Sequence, residues 1–163
     1  MQSPSAAHRG VTPRSEYLPL KFEDYYRQFR GDLERIQRSQ ALDIVATLRL
    51  AAGGQAPASA EGWQETAHRL GCDLYVMDGL GARQGAVLDD VIVIRDSGCP
   101  VELARRASHE LAEFLLASEW ENPVNSPGMT TDEYRHGVAR IVEEEIAAEI
   151  RARSGGDALE TGG

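Results

Sequence analysis

The run from Pro100 to about Trp120 constrains the fold most, because its apolar residues Leu103, Ala107, Leu111 and Leu115 recur every four positions. That step follows the turn of an α-helix and yields one continuous stripe to bury against a core. Pro100 suits the first helical position, where a backbone N–H would be unpaired in any case. On the same helix His109 and Glu113 are four apart, so their side chains lie one turn above each other and can point at one spot, with Glu110 beside it.

The segment His109-Glu110-Leu111-Ala112-Glu113 has the form of the zinc motif H-E-x-x-H with glutamate in place of the second histidine. In the full motif two histidines hold Zn²⁺ and the intervening Glu accepts a proton from the water that the ion activates. A carboxylate oxygen is an accepted zinc ligand at nearly the same bond length as an imidazole nitrogen, so the exchange is chemically tolerable. Read this way, His109 and Glu113 are metal ligands and Glu110 is the general base. The plainer reading is an amphipathic helix with a solvated polar edge.

A catalytic zinc usually takes three protein ligands. The last helix of the chain offers His136 and Glu143, which share nearly the same face but stand about 10 Å apart along the axis. If the two helices run antiparallel from the connection at 121–129, the motif lies about 13 Å from the turn, His136 about 9 Å and Glu143 about 19 Å. Length alone therefore does not choose. Ligand chemistry favours His136, since two imidazoles and a carboxylate are the thermolysin-type set, whereas one imidazole and two carboxylates are harder and less selective for zinc. Glu143 is the alternative third ligand.

Around these two helices the pattern predicts a mobile tail over 1–19, a single domain over 20–153 and a second tail over 154–163. Phe22, Tyr25, Tyr26, Phe29, Leu33 and Ile36 recur at helical steps, and Leu42, Val45 and Leu48 continue the pattern, giving a helical lead-in over 20–52 in which Ser39-Gln40 is a break or an interior point. Ser59 caps a short helix that Gly71 ends. Asp73–Asp78, Ala86–Leu88 and Val91–Ile94 read as three strands joined closely enough for an antiparallel meander, the last apolar at every position and so the inner strand. Thr130 and Glu133 form a capping box for the last helix. The expected fold class is α+β, a zincin-like domain with a small three-stranded antiparallel sheet packed by helices and the motif helix followed by a ligand-bearing helix. Cys72 and Cys99 form no ligand pair and read as thiols in a reducing compartment.

This order of elements, with Arg105-Arg106-Ala107-Ser108-His109-Glu110-Leu111-Ala112 and the later Ala147-Ala148-Glu149, resembles the ImmA/IrrE family of metallopeptidases over residues 59–153. The resemblance implies a zinc peptidase that acts on a helix-turn-helix repressor and thereby switches a stress response or a mobile element. It also implies His109 as a ligand, Glu110 as the general base, Glu113 in the place of the second histidine, and a third ligand on the last helix, where the family has an acidic residue and this chain offers His136 or Glu143. A second carboxylate ligand should acidify the activated water less than imidazole does, so the enzyme is expected to be slow or conditional. A catalytically inactive regulatory binding module of the same fold is the alternative.

Charge narrows the partners. With 26 acidic against 17 basic residues the net charge is −9, which disfavours direct nucleic acid binding and favours a protein or peptide substrate. No apolar run approaches the roughly 20 residues of a membrane helix. The N-terminus lacks the layout of a secretory signal, so a cytoplasmic location is expected.

Overall fold

The computed structural model describes residues 32–77, 85–88, 91–117 and 131–154. The first helix, α1 (Leu33–Ala51), starts where the Asp32 side chain accepts a hydrogen bond from the Arg35 N–H. It runs through Ser39-Gln40 without a break. Gln40 is buried, and its Oε1 accepts a 2.7 Å hydrogen bond from the Tyr134 hydroxyl, while its buried Nε2 has no hydrogen-bond partner among the described residues.

The second helix, α2 (Ala60–Leu70), is bounded as its sequence predicts. Ser59 Oγ accepts from the Gly62 N–H, and Gly71 takes the left-handed conformation at φ 102°. The Gly71 and Cys72 N–H groups return to the His68 and Ala67 carbonyls, the paired bonds of a Schellman ending. Gly62 is required for a different reason, since a Cβ there would run into the Pro57 ring.

The strands β1 (Asp73–Met77), β2 (Gly85–Leu88) and β3 (Val91–Arg95) form one sheet in the order β1-β3-β2. β2 pairs antiparallel with β3, as a hairpin across Asp89-Asp90 requires, but β1 pairs parallel with β3, Tyr75 opposite Val93. The antiparallel meander, and with it the zincin-like arrangement, is therefore not what this chain forms; the molecule is mostly helical with a small mixed sheet. The reason lies in β3, whose Ile92 and Ile94 are fully buried. That strand gains most from a neighbour on each side, whereas β1 alternates exposed Asp73, Tyr75 and Met77 with buried Leu74 and suits an edge. The stretch 78–90 is long enough for a parallel crossover, with β2 built into it. β3 is the inner strand, fully covered on one face and half-covered on the other.

The motif helix α3 (Pro100–Ala117) begins at Pro100, and the last helix is α4 (Thr131–Ser154). Val101, Ala104, Ala107, Leu111 and Leu115 of α3 face Tyr134, Val138, Val142, Ile146 and Ile150 of α4 within one core that also takes Ile36, Ile44, Leu48, Trp63 and Leu70. Burying each of the larger side chains contributes about 1.5–3 kcal/mol. The alanines let the two backbones approach. Arg105 meets Glu144, His109 meets Glu143 and Glu113 meets His136, so α3 and α4 run antiparallel. Glu149 of α4 joins this packing to the start of the chain: it takes a 2.7 Å ion pair from Arg49 of α1 and a 2.9 Å hydrogen bond from the Ala56 N–H, between α1 and α2. Among the described residues no helix is long and apolar enough to cross a membrane. The two tails, the aromatic cluster Tyr25, Tyr26 and Phe29, and the Thr130 cap lie outside the described residues.

Candidate metal centre

Helical periodicity places His109 and Glu113 on one edge of α3, where the stripe Ala107, Leu111, Leu115 turns the opposite face into the core. His109 Nε2 stands 3.0 Å from Glu113 Oε2. Across the helix pair, His136 Nδ1 approaches the same Glu113 oxygen at 3.4 Å, and the two imidazole rings meet edge to face with centroids 4.9 Å apart. Donor atoms of His109, Glu113 and His136 all lie within 4.8 Å of one another, a group that could hold a metal ion.

Glu143 is close by but on the other side of the ring: its Oε1 lies 2.6 Å from His109 Nδ1. The two candidates for third ligand are thus separated by geometry. His136 joins the group, while Glu143 sits where an orienting carboxylate sits behind a metal-bound histidine. Sequence reasoning weighed both as ligands and did not foresee this second role. Helix rise gives the height of each residue but not the rotation of α4 about its axis, and that rotation decides the outcome.

The surroundings favour positive charge. Burial draws the His109 pKa down, but hydrogen bonds to Glu113 and Glu143 and the nearby Glu110 carboxylate outweigh it and lift it to about 9. At neutral pH the ring is therefore an imidazolium donating from both nitrogens. The hydrogen bond from His109, opposed by burial and aided by the charges of both histidines, holds Glu113 below the usual carboxylate range. A pocket that stabilises an imidazolium is also one that suits a cation, and replacing the Nε2 proton would leave Nδ1–H on Glu143. The donor set, two imidazoles and a carboxylate, fits a catalytic zinc but also admits iron or manganese.

Exposure grades across the group. The His109 side chain is 14% exposed, Glu113 32% and His136 56%, so the group is anchored in the packing on one side and open to water on the other. Beside it lies a cleft of about 300 Å³ lined by His109, Glu110, His136 and Glu143 together with Glu102, Arg105 and Arg106. The two arginines were not among the residues that the sequence singled out, although Arg105, one turn before His109, shares its helix edge. Cys99 is half-buried at the head of α3 and Cys72 is buried in the core; neither belongs to the metal-capable group.

Comparison with protein-family models, with curated proteins and with solved structures found no significant match to this chain.

Proposed function

We propose that this protein is a zinc-dependent metallopeptidase-like hydrolase, in which His109, Glu113 and His136 hold the ion and Glu110 is the general base. The observation that carries the reading is the convergence of those three donors from two helices beside a cleft that His109, His136 and Glu110 line. Zinc is preferred because an imidazole-rich set with one carboxylate suits a borderline-soft cation. When bound, the ion supplies Lewis acidity, polarising a peptide carbonyl and lowering the pKa of a water toward neutrality.

The chain's own groups do the rest. Glu143 keeps the proton on His109 Nδ1, which directs Nε2 toward Glu113 and fixes the ring. Glu110, one position along α3 from His109, accepts a proton in the cleft and can return it to the leaving amine. The substrate is a protein or peptide, and the similarity of the segment 105–112 to ImmA/IrrE peptidases points to a helix-turn-helix repressor, in a cytoplasmic stress-response or mobile-element switch. The acidic net charge makes direct contact with nucleic acid unfavourable.

Metal content of the purified chain tests this first. Near one zinc per chain, lost in His109→Ala and in His136→Ala, is the expected result, together with peptide hydrolysis that Glu110→Gln removes while the metal stays. No metal after zinc is offered would sink the reading. Metal retained, with partner binding but no hydrolysis in the natural chain, would instead favour a regulatory binding module.

A further inference from the structure

Arg105 and Arg106 stand among the acidic residues that line the cleft, in a chain whose net charge is −9. Arg105 lies one helical turn before His109. Its Nη1 reaches Glu102 at 3.2 Å and its Nη2 reaches Glu144 at 3.4 Å, and both acids are well exposed at 38% and 61%. Long, single contacts to exposed carboxylates are weak. Its Nε is buried and makes no hydrogen bond among the described residues. A guanidinium has five N–H donors; the Nε one is buried, and each Nη, with one of its two N–H groups on Glu102 or Glu144, keeps the other for a ligand. Arg106 behaves differently: its Nη1 donates to the Arg95 carbonyl at the end of β3 at 2.9 Å, which pins the side chain.

These two arginines and Glu102 separate the cleft from a second cavity of about 470 Å³, which extends past Arg95, Asp96 and Cys99 to the C-terminal end of β3. Arginine fits a carboxylate with a planar fork of donors, and a partly desolvated one binds it more strongly than a surface lysine would. Burial would lower the Arg105 pKa, yet Glu144 and Glu102 raise it, so the charge is permanent.

We infer that Arg105, backed by Arg106, forms a carboxylate-binding subsite that selects peptides with a negative group about two residues from the bond presented to the metal. The inference rests on the reading of the cleft as a peptide site. Four residues of helix separate Arg105 from His109 by about 6 Å, and an extended peptide covers that distance in about two residues at 3.3 Å each. A C-terminal carboxylate and an Asp or Glu side chain offer the same chemistry.

Three octapeptides of alanine and serine with a neutral fluorophore distinguish the sources. One carries a single internal glutamate and an amidated end, one has no acid but a free C-terminus, and one has no acid and an amidated end. Titrated by anisotropy against the full zinc-loaded chain carrying Glu110→Gln, one carboxylate probe is expected to bind about tenfold more tightly than the neutral one, the scale of one charge-assisted contact. Which probe gains identifies the source. Arg105→Gln should abolish the preference and Arg105→Lys, which keeps the charge but not the fork, should retain part of it. The preference should persist in His109→Ala, since the guanidinium acts without the ion. Equal or undetectable binding of all three probes, or a preference that survives Arg105→Gln, overturns the subsite. Absence of hydrolysis with the preference intact removes the peptidase reading and leaves the subsite; hydrolysis without any preference does the reverse.

Discussion

His109 is held from both sides by carboxylates, and the two contacts do different work. Glu143 orients the ring, so Glu143→Gln, which keeps an acceptor but removes the charge, should weaken metal affinity about 10- to 100-fold and leave one ion per chain at saturation. Competition with a chelating dye measures this; an unchanged affinity would mean that Glu143 does not act through His109. Without metal the same contacts make stability depend on pH. The pKa of His109 is raised from 6.5 to about 9, so its contribution is complete below the ordinary value and is lost as pH rises through about 9. Glu113 is depressed, so its contribution holds above the usual carboxylate range and disappears as pH falls through the lowered value. Thermal melting of the chelator-treated chain should therefore fall between pH 7 and 10 by roughly 2–3 kcal/mol in stability, and His109→Gln should flatten that fall. That His109 and Glu113 share a helix edge was legible because i,i+4 spacing fixes it. His136 was legible from ligand chemistry alone.

At the scale of elements, the helix ends were readable wherever a single side chain decides them. Ser59, Gly71 and Pro100 each supply a local contact or conformation that no distant residue needs to complete. Strand pairing was not readable in the same way. Adjacency in sequence gave the β2–β3 hairpin correctly, but the partner of β1 depends on which strand profits from two neighbours, a property of the assembled sheet. Gly62 adds a constraint that only the folded chain reveals. Gly62→Ala gains about 1 kcal/mol of helix propensity but must displace the rigid Pro57 ring, at about 1–3 kcal/mol. The net expectation is a loss of about 1 kcal/mol in urea unfolding, where an ordinary exposed Gly→Ala change in a helix would stabilise.

For the whole molecule, Glu149 is the residue on which distant parts depend together. It is 14% exposed and receives both the Arg49 guanidinium and the N–H of buried Ala56. Glu149→Ala should cost about 2–3 kcal/mol, because a buried N–H loses its acceptor and an ion pair is broken; denaturant midpoint shifts measure it, and Glu149→Gln should recover part of the loss. The same helix α4 also carries His136 and Glu143. The candidate centre thus draws its donors from both sides of a helix pair that the chain joins through residues 118–130. A cation bound there would act as a removable crosslink, closing that loop in the folded state and counting for nothing in the unfolded one. Chelation would then do more than silence chemistry: it would loosen the seam between α3 and α4, making the protein's resistance to unfolding a gauge of how much metal its surroundings supply.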